Sequence, residues 1–119
     1  MAKLGIVKIN KTFYFDYGKF SELQMQSDFQ NDVYPGITPM WDNSARKKEN
    51  PFILHNSTPE KYQLWLEHIV NKYPWEKVPE NFLFINAWNE WAEGNHLEPC
   101  KKWGTSYLAV TKKALNHER

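Results

Sequence analysis

The stretch from Ser57 to Ile85 constrains the fold more than any other part of the chain. Thr58 can cap a helix, Pro59 suits its first position, and Glu60 sits well in its first turn, facing the positive end of the aligned peptide dipoles. Apolar residues then recur at Tyr62, Trp65, Leu66, Ile69, Val70 and Tyr73, the spacing of one helical face, until Pro74 stops the run. A proline-containing loop leads on to Phe82, Leu83, Phe84 and Ile85. This unbroken apolar run has the length of a strand and no alternation, so it predicts a parallel strand covered on both faces. An amphipathic helix followed by such a strand is the logic of an α/β fold.

The flanking segments extend the pattern. Phe13, Tyr14 and Phe15 followed by Asp16 suit a strand ending in a polar residue, and Lys19 to about Asp28 reads as a weak helix. The segment YPGITPMW allows only a short strand at Ile37 to Trp41, weakened by Pro39. A last helix is expected from about Thr105 to Asn116, with Tyr107, Leu108, Ala114 and Leu115 on one side. With no internal repeat, low-complexity tract or Gly/Ser linker, residues 1–119 read as one continuous segment.

Charge and composition exclude several classes of partner. The chain carries 15 Lys and Arg against 14 Asp and Glu, a net charge of +1, with no block of like charge. It therefore shows no electrostatic footprint for nucleic acid or an anionic membrane. A chain of 119 residues buries roughly two thirds of its unfolded surface, enough for a core without disulfide or metal staples. Cys100 is the only cysteine, which removes an internal disulfide and Cys-cluster zinc. His55, His68, His96 and His117 show no ligand spacing, so neither a metal nor another cofactor is expected. There is no signal-type apolar segment and no run of about 18 apolar residues to span a membrane, and with one cysteine the chain reads as cytoplasmic.

In an α/β fold the ligand site lies beyond the carboxyl ends of the strands. Here that means the loops Trp41 to Arg46 and Trp88 to Glu98, the most polar and aromatic in the chain. Glu90 and Glu93 are three apart, and a helical turn after the strand would bring their Cβ atoms to about 5 to 6 Å. Two carboxyl groups roughly that close are what glycoside cleavage with retention requires, one protonated as acid and one ionised, and like charges so near push one pKa upward. Trp88 and Trp91 flank the pair and can present aromatic faces to a sugar ring, in a chain that is 16% aromatic. A pair of glutamates on a solvated turn fits the same spacing. In the first loop Asp42 and Asn43 suit hydroxyl groups and Arg46 suits a phosphate or sugar oxygen, while an Asx turn with Arg46 on the surface fits equally. His96 is a candidate proton carrier or hydrogen-bond partner, although a lone histidine is more often structural, and Asn89 lies in the same loop as a candidate for binding substrate.

The blocks YPGITPMWDNSARKK, HNSTPEKYQLWLEHIV and FLFINAWNEWAEGNHLEPCKKWGTSYL, in that order, resemble the C-terminal part of WbsX-like glycosyltransferases, which are related to glycoside hydrolase family 99. The resemblance runs from about Asp16 onward. It implies a (β/α)8 TIM-like barrel acting on glycans in bacterial surface polysaccharide or lipopolysaccharide O-antigen synthesis, with this chain as its last, incomplete portion. By the same resemblance Glu90 would assist a sugar 2-hydroxyl in attacking the anomeric carbon, giving an epoxide-like intermediate, and Glu93 would be general acid and base. Glu98 matches a further acidic position, and Trp41, Asp42, Asn43 and Arg46 match the family's WDN block at the barrel mouth. Cys100 stands where the family more usually has an acidic residue. Such a barrel takes about 250 residues, so the remainder is expected from further chain, a partner or self-association. A non-catalytic glycan-binding or truncated remnant domain is the alternative.

Overall fold

A computed structural model describes residues 5–116, so His117 lies outside the described residues. The largest sheet is mixed. Strands β1 (Ile6–Ile9) and β2 (Thr12–Asp16) form an antiparallel hairpin whose connecting residues, Asn10 and Lys11, have φ of 49° and 68°. Positive φ at both central residues is the turn that matches the natural twist of paired strands. Asp16 then caps α1 (Tyr17–Gln26), its Oδ2 accepting from the Lys19 N–H at 3.0 Å. The cap sits directly at the end of β2, so the helix begins two residues before the expected Lys19, and it ends at Gln26 rather than Asp28.

The proline-rich segment departs from expectation. In place of one strand from Ile37 to Trp41 there are two, β3 (Gly36–Ile37) and β4 (Trp41–Asp42), in different sheets, with Pro39 fully buried between them. Proline cannot donate to a ladder, so the pairing breaks there and resumes on a new neighbour. That neighbour is β5 (Phe52–His55), parallel to β2 and antiparallel to β4, which gives the sheet order β1-β2-β5-β4.

Helix α2 (Pro59–Lys72) forms as its sequence dictates: the Thr58 hydroxyl accepts from the Lys61 N–H at 3.2 Å, and Tyr62, Trp65, Leu66, Ile69 and Val70 are buried. It packs against α1 and against α3 (Ser106–Leu115). Tyr62 and Tyr107 meet with ring centroids 5.6 Å apart, and the Tyr62 hydroxyl lies 3.0 Å from that of Thr111. Tyr107 and Ala114 are buried as expected, whereas Leu115, the last residue of the helix, is half exposed.

The apolar run before the acidic loop is the main correction. Only Phe84–Ile85 forms a strand, β6, parallel to β3 in a sheet of two strands. Phe82 is 48% and Phe84 61% exposed, and with Tyr34 they form an aromatic cluster on the open face. A sheet so narrow buries the side facing the core, through Leu83 and Ile85, and leaves the other side wet. The architecture is thus mixed α/β, three sheets and three α-helices among the described residues.

The core fixes a pH limit. Tyr17 and Tyr62 are completely buried and Tyr107 nearly so. Burial pushes all three phenols above their ordinary ionisation range, and the neighbouring Tyr107 and Tyr62 push Tyr17 further. Each phenol is harder to ionise folded than unfolded, so the stability they contribute is complete below about pH 10 and is lost as pH rises beyond it. In an alkaline titration, part of the phenolate absorbance should appear only together with loss of the near-ultraviolet circular dichroism. Full phenolate absorbance with the dichroism retained would contradict this arrangement.

Candidate functional site

The acidic loop is a small hairpin. β7 (Asn89–Glu90) pairs with β8 (Asn95–His96), Asn89 opposite His96 and Glu90 opposite Asn95, and a 3₁₀ turn over Trp91–Glu93 joins them. Gly94 closes the turn at φ +56°. The base of the hairpin is tied to the end of β6. Asn95 is completely buried and its Oδ1 accepts from the Ala87 N–H at 3.0 Å, next to the cis Asn86–Ala87 peptide. The Leu97 N–H donates to the carbonyls of both Ala87 and Trp88 at 3.0 Å.

The loop after β4 is held by its own polar side chains. Asp42 Oδ1 accepts from the Ser44 N–H at 2.9 Å and from the Ser44 hydroxyl at 2.5 Å, an Asx turn. Asn43 Oδ1 accepts from the Phe52 N–H at 2.7 Å, which anchors the loop to the start of β5. These acceptors therefore hold backbone.

The two candidate loops meet. Arg46 Nη1 donates to Glu93 Oε1 at 2.7 Å across 47 residues of sequence. The Glu93 side chain is 19% exposed and that of Arg46 64%. Gly94 lies directly on Asp42: a Cβ at Gly94 would fall 2.6 Å from the Asp42 carbonyl oxygen and 2.9 Å from its Cβ. Glycine is required here twice over, by backbone angle and by space. Asn89 and Glu90, one step before the turn, are exposed.

Trp91, His96 and Glu98 form a unit of their own. The Trp91 and His96 rings stack at 3.7 Å with an interplanar angle of 21°, Trp91 Nε1 donates to Glu98 Oε1 at 2.6 Å, and His96 Nδ1 lies 3.0 Å from the Glu98 carbonyl oxygen. Trp88 and Trp91 are each about half exposed. A groove of about 510 Å³ opens beside this unit. Of the candidate residues it takes in Trp41, Asp42, Trp91 and His96, and it leaves out Glu90, Glu93, Asn43, Arg46, Trp88, Asn89 and Glu98. Gly94 and Asn95 organise the site yet were not singled out from sequence. The glycine amid polar residues was the available signal, while Asn95 looks like any loop asparagine until its burial is seen.

Among the described residues, no group of three or more His, Cys, Asp or Glu side chains is placed to hold a metal ion. Cys100 Sγ accepts from the Trp103 N–H at 3.4 Å. No helix among the described residues is long and apolar enough to cross a membrane.

Fold and site together define a mixed α/β protein whose acidic, tryptophan-rich hairpin is clamped to a second polar loop. Residues 2–111 match the family described as glycosyltransferase WbsX, and the chain belongs to that family. It is similar to the uncharacterized protein WxcX of Xanthomonas campestris pv. campestris, in strain B100 and in a second strain, at 40% identity over 85 residues. The match covers 70% of this chain and 12% of the length of those relatives. No solved structure matches.

Proposed function

We propose that this chain is part of a glycosyltransferase-like, carbohydrate-active enzyme of bacterial surface polysaccharide or lipopolysaccharide O-antigen biosynthesis, acting at a glycosidic bond with Glu90 and Glu93 as its acid and base machinery. The observation that carries the reading is the Arg46–Glu93 contact, which joins the WDN loop to the glutamate hairpin. A chance surface pair of glutamates has no need of a largely covered member held by a second polar loop. In this reading Glu90 would assist a sugar 2-hydroxyl, and Glu93 would protonate the leaving oxygen and then take a proton from the acceptor. Trp88 and Trp91, half exposed, would face the C–H side of the ring, with Trp41, Asp42, Asn43, Arg46, Asn89, His96 and Glu98 around them.

Residues 1–119 would form one segment, the C-terminal portion of a barrel related to glycoside hydrolase family 99. The parallel pairs β2–β5 and β3–β6 are of the kind such a barrel uses, whereas β1 and β4 run antiparallel to their neighbours β2 and β5. Further chain, a partner or a second copy would supply the rest. A cytoplasmic site of action accords with the single cysteine. One observation favours a second reading, a non-catalytic glycan-binding domain: the groove takes in Trp41 and Trp91 but neither Glu90 nor Glu93. Glu93→Gln separates the two, measured as turnover of an activated aryl glycoside beside glycan binding by calorimetry. Turnover lost with binding retained supports the enzyme; turnover equal to wild type overturns it.

A further inference from the structure

We propose that the groove between β4, β5 and the β7–β8 hairpin binds an anionic sugar, a pyranose carrying a carboxylate or a phosphate, whose charge is met by Lys101 and Lys102. The inference rests on the reading that the chain handles carbohydrate, and it names the substrate class of a subsite beside the glutamates. At about 510 Å³ the groove lies within the range of small-molecule sites, about 300 to 1,000 Å³. Ile53 and Leu54 give it an apolar lining, and Trp41 and Trp103 contribute aromatic surface suited to the C–H face of a sugar ring.

Its charge is one-sided. Lys101 and Lys102 both line the groove, and among the described residues neither makes an ion pair. Asp42 is the one carboxylate among the described lining residues, and its Oδ1 already holds the Ser44 N–H and hydroxyl. The whole chain has a net charge of only +1, so two unpaired ammonium groups at one opening are a local excess, not a reflection of overall basicity. The lysines are also presented from a closed turn. The Gly104 N–H donates to the Cys100 carbonyl at 2.7 Å, the Cys100 N–H returns a bond to the Gly104 carbonyl at 3.3 Å, and the Trp103 N–H donates to Cys100 Sγ at 3.4 Å. The Lys102 ammonium lies 5.1 Å from the centroid of the Trp103 ring, which holds a cation next to an aromatic face. A sugar bearing an acidic group offers both complements at once, a C–H face and an anion on one ring.

The test is calorimetry and tryptophan fluorescence on the full chain with a methyl glucuronide, a glucosyl phosphate, the neutral methyl glucoside and inorganic phosphate. At least one anionic sugar should bind about tenfold more tightly than the glucoside, with the advantage shrinking as salt is raised. The stronger of the two anionic sugars identifies the charge source. Lys101→Gln/Lys102→Gln should abolish the advantage while leaving glucoside affinity and Tm unchanged. Equal binding of neutral and anionic sugars, an advantage that survives the double substitution, or inorganic phosphate binding as well as the sugars would each overturn the proposal. Glu93→Gln should leave the anion preference intact. Turnover that depends on Glu93 without an anion preference therefore defeats only this inference, and the converse result defeats only the catalytic reading.

Discussion

Glu93→Gln is expected to lower turnover by about 10²- to 10⁴-fold, the usual contribution of a positioned general acid or base, with ligand affinity changed little. Glutamine keeps the shape of the side chain and an oxygen that can still accept from Arg46, but it can neither give nor take a proton. The fold should tolerate the change. Arg46 is 64% exposed, so its 2.7 Å bond to Glu93 is screened by water and contributes little to stability. What that bond does is orient: it links the carboxylate to the WDN loop and limits where Oε1 can point. Arg46→Gln should therefore reduce turnover less than Glu93→Gln does, since it loosens the carboxylate without removing it. Reaction rates measured for the two variants, beside an unchanged melting curve, would establish that order. A Glu93→Gln rate equal to wild type would end the acid and base assignment.

The parts of this molecule that could be read in advance are those whose determinants are local. Helix α2 carries its cap at Thr58, its proline at Pro59 and its apolar period within one stretch, so nothing distant is needed to specify it. Strand β6 shows the opposite. The run of four apolar residues that ends in it, Phe82 to Ile85, suggests cover on both faces, but cover is a property of neighbours, and the sheet to which β6 belongs offers only β3. Strands β1 and β5 went unread because each is four residues long and lacks clean alternation, and β7 and β8 because Asn-Glu and Asn-His have no strand preference. That hairpin exists because Gly94 turns it and buried Asn95 anchors it. At the site, neither the meeting of the two loops nor the pairing of Arg46 with Glu93 was legible: β4 runs antiparallel to β5, so its loop lies at the start of β5 and not beyond the carboxyl ends of the parallel strands, and no periodicity links residues that far apart. Asp42 and Asn43 illustrate a competition between roles: a short polar side chain can greet a ligand or bond the backbone two residues on, and in this loop both bond backbone.

Gly94→Ala should be among the most damaging single substitutions in the chain, although it adds only a methyl group. Two penalties combine. The backbone sits at φ +56°, where a residue with a Cβ loses about 1 to 2 kcal/mol relative to glycine. The new carbon would also fall 2.6 Å from the Asp42 carbonyl oxygen, closer than the two atoms can approach, so either the hairpin or β4 must move. Together these place the loss at about 2 to 4 kcal/mol, which for a chain of this size lowers Tm by roughly 10 to 20 °C. Displacing the hairpin from Asp42 also draws Glu93 away from Arg46, so turnover should fall further than the fraction of unfolded protein explains. Gly104 supplies the control within the same molecule. It has the same φ of +56°, but nothing lies within 4 Å of a Cβ built there. Gly104→Ala should therefore show the backbone penalty alone, about 1 to 2 kcal/mol, and the difference between the two variants measures the steric term that seats the glutamate hairpin on the WDN loop. Equal losses at the two positions would mean that this close approach does not hold the loops together.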